Sequence, residues 1–106
     1  MTDVNSKDIL AQFKREVKAR IGENLKKIIL FGSKARGDDG VDSDYDCLVL
    51  VDEVTPKVKD AIDEVAGDLL FEHNAVFSIF PLPEHVYMQK RFDPFLNNIR
   101  REGIAL

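Results

Sequence analysis

Asp44 and Asp46 stand two residues apart at the start of an apolar run (CLVLV), and the pair Gly32-Ser33 follows another apolar run (KIILF) upstream. Runs of this length and β-branched character read as buried strands. Side chains two apart on a strand share a face, so both carboxylates project side by side from a rigid edge. Magnesium takes one or two carboxylates and completes its shell with water and substrate phosphates, which assigns Asp44 and Asp46 as metal ligands. The segment Gly-Ser-Lys-Ala-Arg-Gly, Gly32 to Gly37, falls where the first strand opens into a loop. Gly32 and Gly37 permit close backbone approach to a phosphate, Ser33 adds a hydroxyl and Arg36 a guanidinium. Gly32, Ser33, Arg36 and Gly37 therefore form the expected nucleotide-binding set, and Asp44, Asp46 and Ser33 the catalytic one. In-line displacement at phosphorus asks mainly for position and charge neutralisation, so phosphoryl or nucleotidyl transfer is the leading chemistry.

Other readings of these residues explain less. Asp42, Asp44, Asp46 and Glu53 fit positions 1, 3, 5 and 12 of a calcium loop, but Cys47 replaces the glycine of its sharp turn and apolar residues follow. A plain polar turn, with Asp38-Asp39-Gly40 at its tip, accounts for the glycines and leaves the aspartate pair unexplained, since like charges so close repel unless a cation sits between them. Arg36 taken alone would be an ordinary surface residue. No Lys-Ser or Lys-Thr follows the second glycine, so Walker-type phosphate binding is unsupported. His73 and His85 lack partners at metal-ligand spacing and read as structural or exposed. Cys47 reads as a small core residue, and a lone cysteine suits a reducing cytoplasm.

The elements that position the motif follow from periodicity. A helix is expected over 6–21, with Ile9, Leu10, Phe13, Val17 and Ile21 on one face and Gly22 as its stop. Strands over 27–31 and 47–51 enclose the motif. Thr55-Pro56 opens a second helix carrying Val58, Ile62, Val65, Ala66 and Leu69, and a third strand spans 75–80. Pro83 and Pro94 open two short helices, Gly103 closes the second, and an apolar tail ends the chain. Strand, crossover helix and strand imply a parallel pair. The fold expected is a two-layer α/β domain with a small mixed sheet of about three strands.

At 106 residues there is room for one compact domain, residues 1–106, and 44% hydrophobic content is ordinary for a soluble chain. No apolar run reaches the roughly 18 residues of a membrane span and no leader pattern opens the chain, so a cytoplasmic protein is expected. A net charge of −4 disfavours nucleic acid as a primary partner.

At Gly32, Ser33, Ala35, Arg36, Gly37, Ser43, Asp44 and Asp46 the chain resembles the polymerase-beta-type nucleotidyltransferases, especially their minimal bacterial and archaeal members, most strongly over 28–51. The resemblance implies the nucleotidyltransferase fold, ATP as nucleotide, Mg2+ as cofactor, and transfer of AMP to a hydroxyl. Minimal members are commonly paired with a small helical HEPN-type protein as the antitoxin of a toxin–antitoxin pair, and a homo-oligomer is the other expected partner. Family enzymes usually carry a third carboxylate on a later strand. Here the one polar residue of that strand is Ser78, with Glu72 and Glu84 only flanking it. That departure keeps a second expectation open, a nucleotide-binding module that silences its partner by docking alone. A transferase acting on small molecules such as aminoglycosides is a third, for which no acceptor-binding residues are visible.

Overall fold

The computed structural model describes residues 5–37, 44–90 and 92–106. The turn expected at Asp38-Asp39-Gly40, Asp42 of the calcium template and Ser43 of the motif lie outside the described residues.

Helix α1 (Ser6–Ile21) begins at Asn5, whose side chain accepts the Asp8 N–H, and ends at Gly22 with φ 58°. Its Ile9, Phe13 and Val17 are buried, and Leu10 and Ile21 pack at the margin. A short 3-10 turn leads to β1 (Leu25–Phe31), then the single turn α2 (Ser33–Arg36), and then β2 (Tyr45–Val51). β1 and β2 are antiparallel, with Phe31 opposite Asp46. Thr55 caps α3 (Pro56–His73) by accepting the Val58 N–H, and Val58, Ile62, Val65 and Leu69 are buried along one face. Asn74 ends that helix in the left-handed conformation, which asparagine tolerates.

β3 (Phe77–Pro83) pairs in parallel with β2, as the crossover predicts, but starts later and ends later than expected, running through Pro81 and Pro83. The pairing explains how. Tyr45 N–H donates to Val76 O, which turns even-numbered residues of β3 toward β2, so Pro81 and Pro83 place their missing N–H groups on the outer edge. α4 (Glu84–Gln89) and α5 (Pro94–Glu102) follow, the latter capped by Asp93. The tail is not loose. Ile104–Ala105 forms β4, antiparallel to β1, and corrects the expected strand number from three to four, in the order β3-β2-β1-β4. Gly103 allows this closure, because a Cβ there would overlap Ile99 O and Ile29 Cγ2.

The two sheet faces are unequal. Tyr45, Cys47, Val49 and Val51 join Ile28, Leu30 and the buried residues of α1 and α3 in the larger core. Leu48, Leu50 and Ile29 meet Leu96 and Ile99 of α5 in a smaller one. Each such side chain contributes about 1.5–3 kcal/mol on burial, so the α1/α3 layer dominates stability. The second face is only partly covered. Alternation along β2 puts Asp46 on it with Leu48 and Leu50.

Candidate active site

β1 and β2 bring the two halves of the motif to one end of the sheet. Gly32 adopts φ 76° and ψ −159°, a region reserved to glycine, and a Cβ there would overlap Asp46 Oδ2 and lie 3.2 Å from Asp46 Cγ. The glycine is thus needed for both backbone conformation and close approach. What the spacing predicts as a loop is a turn of helix, with Ala35 and Arg36 N–H donating to Gly32 O at 3.1 Å. Gly37, at φ 79° and ψ 11°, closes it with its N–H on Ser33 O at 2.9 Å.

Tyr45 sets the direction of the aspartates. Its ring is buried and stacked on Phe77 at 4.7 Å, its hydroxyl donates to Ser6 Oγ at 3.0 Å, and the Lys34 ammonium lies 4.4 Å from the ring centroid. With Tyr45 anchored in the larger core, Asp46 must face the opposite side of the sheet. Burial pushes the Asp46 carboxyl above the ordinary 3.8, Asp44 pushes it further, and Arg36 draws it back. The pair therefore holds mutual repulsion that a divalent cation would relieve, and its hard oxygen donors suit magnesium. Residues 45–51 are strand, which leaves no twelve-residue calcium loop.

Ser78 stands in register with Asp46, and its Oγ donates to Asp44 Oδ2 at 3.4 Å. Serine therefore occupies the strand position facing the carboxylates. Glu72 accepts from Gln12 at 2.9 Å beside His73, and Glu84 lies past the far end of β3, so neither joins the pair. Among the described residues no group of three His, Cys, Asp or Glu gathers as a metal site. His73 bonds Gln12 Oε1 at 2.9 Å, a structural role. His85 lines a separate hollow with Asp52, Glu84 and Met88. Burial, then Asp46, pushes the Cys47 thiol up to about 12, which makes it an inert core residue.

One participant is invisible to motif reading. Arg36 Nη1 lies 3.2 Å from Glu102 Oε2, a residue at the end of α5 that only the β4 closure brings near. Its sequence context, Arg101-Glu102-Gly103, carries no signal of a site.

A family model described as a nucleotidyltransferase domain matches residues 10–105. Two proteins of Methanocaldococcus jannaschii are similar over nearly their whole length. "Putative protein adenylyltransferase MJ0141" is 31% identical over 100 residues, 93% of this chain and 96% of the relative. "Putative protein adenylyltransferase MJ0604" is 30% identical over 103 residues, 97% and 99% respectively. Among solved structures, a toxin–antitoxin with AMP-PNP aligns with TM-score 0.65 at 20% identity, covering 95% of this chain and 72% of that one. A mutant of the toxin–antitoxin MntA-HpeT aligns with TM-score 0.64 at 19% identity, covering 96% and 72%. The architecture is thus the nucleotidyltransferase fold. With the domain model spanning nearly all of it, the chain belongs to the nucleotidyltransferase domain family.

Proposed function

We propose that this chain transfers AMP from ATP, with magnesium, to a hydroxyl of a partner protein, as the antitoxin of a toxin–antitoxin pair whose toxin is a HEPN-type protein. The observation that carries the reading is the packing of Gly32 against Asp46, which supports reading the Gly32-Ser33 backbone as a phosphate cradle and the adjacent aspartate pair as metal ligands. The names of the two archaeal relatives, and the AMP-PNP in a structural neighbour, support the choice of adenylyl transfer to protein.

Asp44 and Asp46 would hold Mg2+, which when bound neutralises phosphate charge and makes the α-phosphorus more electrophilic. The Gly32-Ser33 backbone and Ser33 hydroxyl bind the phosphates, and Arg36 adds positive charge opposite their oxygens. The acceptor oxygen attacks the α-phosphorus in line, a new P–O bond forms, the bond to pyrophosphate breaks, and pyrophosphate leaves. The acceptor proton must go to a base. Ser78 is neutral and hydrogen-bonded to Asp44, and no third carboxylate joins the pair among the described residues, which favours a base supplied by the acceptor's own protein. The same serine favours a second reading, a nucleotide-binding module that neutralises its partner by docking alone.

Calorimetric titration of ATP with and without magnesium tests the metal and nucleotide assignments. Wild type is expected to bind far more tightly with magnesium, and the Asp44→Asn, Asp46→Asn double variant to lose that dependence while staying folded. Equal affinity in all conditions would remove the metal assignment, and no binding of ATP in any condition would remove the nucleotide one.

A further inference from the structure

Three phenylalanines from separate segments meet on the sheet face that carries Asp46. Phe31 of β1 is the direct cross-strand partner of Asp46, and Phe80 of β3 lies two residues beyond Ser78 on the same side of the strand. Phe95 comes from the first turn of α5. The ring centroids are 5.9 Å apart for Phe31 and Phe80, 5.6 Å for Phe31 and Phe95, and 5.7 Å for Phe80 and Phe95. Phe80 and Phe95 are nonetheless 44% and 47% exposed. Three large rings in mutual contact, with two still open to solvent, form a contiguous apolar surface rather than scattered exposed residues.

Its position says what covers it. Cross-strand partners are about 4.5–5.5 Å apart at Cα, so the floor begins immediately beside the carboxylates that would neutralise the phosphates. A nucleotide held there by its phosphates has its ribose and base extending over neighbouring surface. Among the described residues the aromatic floor is an extended apolar part of those surroundings.

We propose that Phe80 and Phe95, supported from below by Phe31, hold the purine base of the bound nucleotide, one ring stacked on its face and the other, inclined at 66° to the first, packed against its edge. This rests on the nucleotidyl-transfer reading and adds the base subsite to it. Stacking on a π-face works for every base and strengthens with ring area, so the floor favours purines over pyrimidines while separating adenine from guanine weakly.

The test compares magnesium-dependent binding of ATP, GTP, CTP and inorganic triphosphate by calorimetry, in wild type and in Phe80→Ala, Phe95→Ala and Phe80→Tyr. Both truncated side chains are half exposed, which spares the core, and melting curves with the Tyr variant control for the fold. Each Ala variant is expected to weaken ATP binding about tenfold and to leave triphosphate binding unchanged. Phe80→Tyr should retain wild-type affinity, and the wild-type order should be ATP and GTP above CTP. Unchanged ATP affinity in both Ala variants overturns the proposal and leaves the floor to a protein partner. Parallel loss of ATP and triphosphate also overturns it, because the damage would then lie in the phosphate site. A wild type that binds neither ligand removes the nucleotide reading itself and the stacking proposal with it.

Discussion

A methyl group at position 32 would overlap the carboxylate of Asp46, and the Gly32 backbone at φ 76° and ψ −159° is one that other residues adopt only under strain. The first motif residue and the last are thereby a single packing unit. Gly32→Ala is expected to cost roughly 1–3 kcal/mol of stability from backbone strain alone. It should also displace Asp46, so ATP affinity falls by more than the folded fraction does. Denaturant melts beside ATP titration check this, and a folded Gly32→Ala protein with intact affinity would contradict it.

Asp46 makes stability depend on pH in a defined direction. Burial, then Asp44, raise its folded-state pKa above the unfolded 3.8 against the pull of Arg36. Between those two values the folded chain binds more protons than the unfolded one. Stability therefore falls as pH rises through that window, and the cost is fully present above it. Asp46→Asn is accordingly expected to melt higher than wild type near neutral pH without magnesium, and the gap should close below both pKa values. Thermal melts across pH measure it, and a variant less stable at every pH would contradict the account.

Ser78 donates to Asp44 and faces Asp46 across the parallel ladder. Ser78→Asp adds a third negative charge at that point. Without magnesium it should lower stability by about 1 kcal/mol, a few degrees in Tm for a chain of this size. Added magnesium should raise Tm more in the variant than in wild type. Identical magnesium responses would show that position 78 does not face the proposed cation site.

Much of the frame was legible because it rests on local rules. The bounds of α1 follow from the Ile9, Phe13, Val17 period and Gly22, and the start of α3 from the Thr55-Pro56 cap. The parallel β2–β3 pairing follows from the crossover between them. What escaped depends on tertiary contact. Pro81 and Pro83 argue against strand until edge placement makes their missing donors harmless. β4 has two residues and no periodicity, and forms because Gly103 lets the chain return along β1. Glu102 reaches Arg36, and Phe31, Phe80 and Phe95 reach one another, across sequence distances no local pattern spans.

The most direct test is intact-mass analysis of the neighbouring gene's product, incubated with this chain, ATP and magnesium. Transfer predicts a mass gain of one AMP on the partner, with pyrophosphate released. The gain should be absent when the partner is incubated without this chain, and it should be lost with Asp46→Asn even if the complex still forms. A partner silenced equally by wild type and Asp46→Asn, with no mass gain in either case, would contradict catalysis and leave docking as the mode of neutralisation.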